Sequence, residues 1–124
     1  MKYTRLFSDA DGESHFEDIN VAFTPMEFAP PAPPLDLSVT EPAEQYTFMR
    51  ASAGWYSDWH RAPYRQMHFY LAGEVEAEAS DGEIRRFGAG DVILVEDCSG
   101  KGHRSRASGS TDALIAVVKL AETE

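Results

Sequence analysis

Residues 73–95 read GEVEAEASDGEIRRFGAGDVILV, and their pattern decides the fold class. Val75, Ala77 and Ala79 alternate with Glu74, Glu76 and Glu78. A period of two with one charged face is a half-buried antiparallel strand. Ser80-Asp81-Gly82-Glu83 supplies an Asp-Gly hairpin signal, and residues 84–87 return as the partner strand. Arg85 is then placed to face the glutamate ladder, although an exposed pair of this kind is worth little. Gly88-Ala89-Gly90-Asp91 makes a second tight turn, and VILV (92–95) reads as a short buried strand.

The same pattern extends in both directions. Residues 113–120 (ALIAVVKL), 66–71 (QMHFYL) and 45–50 (QYTFMR) each read as a strand. Residues 2–7 and 19–23 are two further short strands around a polar, turn-like SDADGESHFED. Its Asp9-x-Asp11-Gly12 faintly resembles a calcium loop. Phe7 and Asp18 break that pattern, so a solvated turn or an acidic helix cap is the better reading. No segment carries a helical period over eleven or more residues. Many short strands separated by glycine turns predict an all-β sandwich or barrel.

Residues 25–42 hold six of the seven prolines. Proline lacks a backbone donor and fixes φ, which excludes a helix or a central strand there. The stretch reads as an extended Pro-rich N-terminal arm lying on the domain or on a partner. No basic residue flanks it in the manner of a PxxP ligand. The expected organisation is one domain: residues 1–44 as N-terminal strands and an arm packing on the barrel, residues 45–124 as the barrel core.

Composition narrows the function classes. The chain has 124 residues, 21 acidic against 11 basic, and a formal charge of −10. Such a surface is a poor partner for nucleic acid or an anionic membrane. The longest apolar run, 113–118, is far short of a bilayer span, and the first residues show no apolar signal-peptide core. A single cysteine, Cys98, excludes a disulfide framework and a cysteine-based zinc site. The expectation is a cytoplasmic domain with a small-molecule ligand.

Residues 54–73, GWYSDWHRAPYRQMHFYLAG, resemble the first motif of the cupin superfamily: glycine, His-x-His, glutamate, glycine at set spacings. Gly54, His60 and Gly73 keep their places. Ala62 stands where the second histidine is expected and Gln66 where the glutamate is expected. The second motif is similar to Gly90-Asp91, residues 92–95, EDCSGKG and His103. Here the bend is about two residues longer and lacks its proline. The resemblance covers roughly residues 45–120.

It implies a cupin-type β-barrel, a double-stranded β-helix or jelly roll. The family's interior holds Fe, Mn, Ni, Zn or Cu on three histidines and a glutamate. Imidazole and carboxylate with open positions suit such metals. Carried over residue by residue, the metal positions are His60, Gln66 and His103. With Ala62 and Gln66 in place, a divalent transition metal (Fe, Mn, Ni or Zn) would be held weakly or be absent. Alternation points Gln66, His68 and Tyr70 to one face. His68 is then either a substitute ligand completing a three-histidine site or a packed, substrate-facing histidine.

The candidate catalytic residues are His60, His68 and His103. Histidine titrates near neutral pH and serves as a general acid or base. The expected substrate pocket comprises Trp55, Trp59, Ala62, Tyr70 and Glu96. Trp55, Tyr56 and Trp59 either line the mouth or pack at the rim or in a dimer face. Glu96 and Asp97 either supply a carboxylate to the pocket, orient His103, or bond within their loop. Lys101 and Arg104 either meet an anionic substrate or pair with those two acids. Cys98 reads as a small buried hydrophobe rather than a reactive thiol, Arg61 and Arg65 as outward-facing, and His15 as a loop residue. Three functions stay open: a metal-dependent dioxygenase, isomerase or lyase acting on a small organic acid or carbonyl compound; a binding module; and an interaction protein. A homodimer is expected, with the arm covering a sheet edge of its own or of its neighbour.

Overall fold

The computed structural model describes residues 1–122 and contains eleven strands. These are β1 (Lys2–Ser8), β2 (Ser14–Asn20), β3 (Thr24–Met26), β4 (Leu35–Leu37), β5 (Ala43–Ala51), β6 (Gln66–Ala72), β7 (Glu74–Ala79), β8 (Ile84–Gly88), β9 (Val92–Val95), β10 (His103–Ala107) and β11 (Ala113–Leu120). Among the described residues there is no helix, and so none long and apolar enough to cross a membrane.

Six strands form one sheet in the order β2-β1-β9-β6-β11-β5, and three form a second, β10-β7-β8. The alternation of β7 is realised as expected. Val75, Ala77 and Ala79 are buried, while the three glutamates are only half-buried. Across the two sheets Leu6, Phe16, Tyr70, Phe87, Ile93 and Ile115 close the core. The Tyr70 and Phe87 rings stack 5.7 Å apart. Burying each such large side chain contributes about 1.5–3 kcal/mol.

Several expectations need correction. Residues 2–20 are part of the barrel itself, because β1 runs parallel to β9 through Thr4–Ile93, Arg5–Leu94 and Leu6–Val95. The second strand begins at Ser14 rather than Ile19. Its polar sequence hides inward positions at Ser14 and Phe16, both buried. Only residues 9–13 turn, held by Asp9 Oδ1 accepting from the backbone N–H groups of Asp11 and Glu13. Strand β10 was not anticipated at all. Arg85 does not meet the glutamate ladder. It lies opposite Ala77, sits over the Phe16 ring, and pairs with Asp18 and Glu83. Glu76 is instead held by Arg86 and Arg106.

The proline-rich segment contains a small separate hairpin, β3–β4. Its residues from 22 to 42 are exposed apart from a half-buried Leu37.

At one end of the barrel His15 bridges two turns. Its Nε2 is 2.6 Å from Asp9 Oδ2 and its Nδ1 2.9 Å from Asp81 Oδ2. These two bonds, that to Asp9 first, hold the imidazole pKa above its ordinary value. The folded value exceeds the unfolded one. The clasp therefore stabilises fully below the unfolded pKa, and that contribution is lost as pH rises through the raised value. At the acid end the same bond lowers the Asp9 pKa, and the contribution goes as pH falls through that lowered value. The urea midpoint should fall as pH rises past the ordinary histidine value and through the raised His15 pKa. His15→Asn should lack that step when midpoints are measured across the range.

Candidate functional site

A cavity of about 500 Å³ lies between the two sheets. Its walls are mainly apolar, including Leu6, Val75, Ile93, Ile115 and Val117. His60, Gln66, His68, Tyr70, His103 and Ser105 supply polar groups, and Thr47, Arg50 and Tyr64 also line it. No aspartate or glutamate lines it, although the chain has 21 of them.

Strand β6 places Gln66, His68 and Tyr70 on the wall, as period-two alternation requires. Gln66 Nε2 donates to the Tyr64 carbonyl at 3.2 Å, which turns its Oε1 toward His68 Nε2, 2.8 Å away. An amide oxygen only accepts. His68 therefore carries its proton on Nε2 and offers a lone pair at Nδ1. Burial, and to a smaller extent the charge of His103, push the His68 pKa down to about 4. The ring is neutral at pH 7. Burial first, and the Asp91 charge second, raise the Tyr70 pKa, so its phenol stays protonated and can donate.

His60 and His103 come from different segments that the backbone binds together. His60 N–H donates to the His103 carbonyl at 2.9 Å, and His103 N–H returns the bond at 2.9 Å. Ser57 N–H to the Ser105 carbonyl and Ala107 N–H to the Trp55 carbonyl extend the ladder. Residues 55–60 thus act as a further rung outside β10. Gly102 permits this approach with a φ of +72°. A Cβ there would collide with the His60 carbonyl. The two imidazole centroids are 4.5 Å apart.

Each of these rings has its Nδ1 engaged. His60 Nδ1 lies 2.8 Å from the Asp58 carbonyl, which can only accept. His103 Nδ1 lies 2.6 Å from Asp97 Oδ2. Asp97 is 0% exposed, and its Oδ1 has no hydrogen-bond partner. With Nδ1 donating, each ring in its neutral form presents Nε2 as an acceptor.

Asp97 therefore orients His103, one of the readings open from sequence. Glu96 does something else. It is gripped by Arg5 and Arg65 and is absent from the cavity wall. Both lie just past the end of β9, and only Asp97 turns toward His103. Trp59 also leaves the wall and stacks with the Arg104 guanidinium 5.0 Å from its ring. Trp55, Ala62 and Tyr70 do line the cavity. Lys101 and Arg104 pair with Glu13 and Glu78, not with Glu96 or Asp97. Arg61 and Arg65 face away from the cavity, bonded to the Gly100 carbonyl and to Glu96.

The donor set falls short of a metal centre of the kind the resemblance implies. His60 and His103 have the fixed tautomers that ligands need. Ala62 provides no donor, and the Gln66 oxygen is a neutral amide that already accepts from His68. Among the described residues, no three His, Cys, Asp or Glu side chains are grouped so as to hold a metal ion. His60, His68 and His103 share the cavity without forming a three-histidine site.

Two antiparallel-rich sheets closed around a cavity, with the histidine-bearing turn and β10 at its mouth, define a cupin barrel. Solved structures agree. The chain is similar to a cupin 2 conserved barrel domain protein from Salinispora arenicola CNS-205, with 22% identity, 82% of this chain and 76% of that one covered, and a TM-score of 0.51. It is similar to a cupin domain from Bordetella pertussis Tohama I at 13% identity, with 84% and 98% covered and a TM-score of 0.51. It is also similar to the DMSP lyase DddQ from Ruegeria pomeroyi DSS-3, with 23% identity, a TM-score of 0.50, and 64% of this chain and 39% of that one covered. At these identities the likeness establishes the fold alone. No protein-family model matches the chain, and no curated protein matches it.

Proposed function

We propose that this protein binds a small organic molecule in the barrel, and that its divalent-metal site is degenerate. The observation that carries the reading is the acid-free cavity: apolar walls around His60, His68, His103 and Tyr70. Pockets with an apolar lining and a few convergent polar groups are the usual form of a small-molecule site. A fitting ligand has an apolar body and a carboxylate or carbonyl head. Its oxygens accept from Tyr70 Oη, and a hydroxyl on it donates to His60 or His103 Nε2. No carboxylate opposes an anionic head, and the apolar walls exclude water around these bonds.

The test uses salicylate, short 2-hydroxy carboxylates and the matching hydroxymethyl ketones in thermal-shift and calorimetric titrations. At least one of these probes should give saturable, one-to-one binding that weakens about 10–100-fold in His103→Ala, the size of effect that positioned polar groups usually carry. Absence of binding by every probe, or binding indifferent to His103, overturns the reading.

A second reading rests on the buried Asp97–His103 pair. A histidine backed by a carboxylate is also the arrangement of a general base. In an enzyme of this kind His103 Nε2 would take a proton from a bound carbonyl compound or organic acid. Solvent deuterium exchange into bound ligand, lost in His103→Ala, would separate turnover from simple binding.

A further inference from the structure

The tip of the β1–β2 hairpin, Ser8 to Ser14, grips the segment that leads into His103. Four hydrogen bonds join them. Ser8 Oγ donates to the Ser99 carbonyl at 2.7 Å. Lys101 N–H donates to the Gly12 carbonyl at 2.9 Å, and Lys101 Nζ donates to Glu13. Ser14 Oγ donates to the Gly102 carbonyl at 2.7 Å. The two backbones touch, since a Cβ on Gly100 would collide with the Gly12 carbonyl. Ser14 is 0% exposed and also accepts from the Ser80 N–H at 2.7 Å. The carbonyl it holds belongs to the glycine whose close approach to His60 sets the histidine pair. Residues 61 and 62 hold the same segment. Arg61 Nε donates to the Gly100 carbonyl at 2.9 Å, and Ala62 N–H to the Asp97 carbonyl at 3.1 Å.

His15 sets how firmly this tip is held. Its ring joins Asp9 in the tip to Asp81 in the β7–β8 turn. Phe7 packs beside the ring with centroids 5.6 Å apart. Arg5 lies over Phe7 and pairs with Glu17 and Glu96. Glu13 feels the Asp9 charge and pairs with Lys101. A protonated imidazole donates to both aspartates. A neutral one has a single N–H, so one of the two bonds goes and the two carboxylates lose the cation between them.

We propose that the β1–β2 tip is a pH-responsive brace for the ligand site: protonated His15 holds it against residues 99–102, and deprotonation loosens the His60–His103 pair and weakens binding in the cavity. The ligand rests on the binding reading above, whereas the coupling rests on the tip contacts alone. Asp9 first and Asp81 second hold the His15 pKa above its ordinary value. The brace is therefore whole below the ordinary histidine value and is lost as pH rises through the raised one.

The test follows amide exchange in the full chain across this range, each rate divided by its unstructured-peptide value. Protection of the Lys101 and His103 N–H groups should fall about 5-fold as the His15 ring titrates, the low end of such couplings because the clasp is partly exposed and screened. Salicylate affinity measured by calorimetry should show a step of about the same size at the same pH. In His15→Asn, a change at a partly exposed ring, both steps should vanish. In Ser14→Ala the His15 ring should titrate as in the parent, while His103 protection no longer follows it. Protection that stays constant through the His15 titration overturns the proposal, and so does a step that survives in His15→Asn. The exchange readout needs no ligand, so it decides the coupling even where salicylate fails to bind, a failure that counts against the binding reading alone.

Discussion

Gly102→Ala should cost about 2–5 kcal/mol of folding stability and move His60 away from His103. The left-handed φ of +72° carries a penalty of roughly 1–2 kcal/mol for a residue with a Cβ. The remainder comes from backbone, not from a side chain that could turn aside. The new methyl would overlap the His60 carbonyl and sit 2.8 Å from the Arg61 nitrogen. That carbonyl accepts the His103 N–H bond, so relief of the clash must open the rung joining the two histidines. Forcing a methyl into such a packed position costs about 1–3 kcal/mol. Gly82→Ala is the control. Gly82 also has a positive φ, +96°, but a Cβ there meets nothing within 4 Å. It should lose only the roughly 1–2 kcal/mol of conformational strain. Chemical denaturation of the two variants measures the difference. Equal losses would mean that the Gly102 approach is not what holds the histidine turn in place.

Gly102 also shows where the sequence was opaque. A glycine immediately before a polar run has no periodicity to mark it. Its role depends on a backbone more than forty residues away in the chain. Strand β10, HRSRA, was missed for a related reason. Its charged side chains meet glutamates on β7, Arg104 with Glu78 and Arg106 with Glu76, so the outer face looks like loop composition. By contrast, β6, β7 and β9 were readable because one apolar face meets the core and period two follows directly. The same rule placed Gln66, His68 and Tyr70 on one wall before any contact was known. Alternation did not say whether Glu96 or Asp97 pointed inward, since the bend before His103 interrupts the count. Resemblance supplied the positions of His60 and His103. It could not supply the hydrogen bond that ties Gln66 to His68.

Asp97→Asn and Asp97→Leu should separate orientation from packing at His103. Asp97 is fully buried and spends one oxygen on His103 Nδ1 at 2.6 Å, while the other has no partner. An isolated buried oxygen is destabilising, so the residue is poorly explained by stability alone. In Asp97→Asn the shape remains and a neutral amide oxygen still accepts from Nδ1, but the charge-assisted strength is lost, roughly half of that bond. The expected cost is about 1 kcal/mol. In Asp97→Leu the acceptor disappears. His103, whose side chain is only 12% exposed, then keeps a donor with no partner, at about 1–3 kcal/mol. The larger consequence is at the site. Without an acceptor at Nδ1, the His103 ring is free to carry its proton on Nε2, which turns the cavity-facing atom from acceptor to donor. Nitrogen-15 spectra of the imidazole should show a single Nδ1–H tautomer in the parent protein and a mixture in Asp97→Leu. Any ligand hydroxyl that donates to this atom should bind about 10–100-fold more weakly in Asp97→Leu, with Asp97→Asn between the two. If both variants keep the parent tautomer and the parent affinity, Asp97 serves only to anchor its loop.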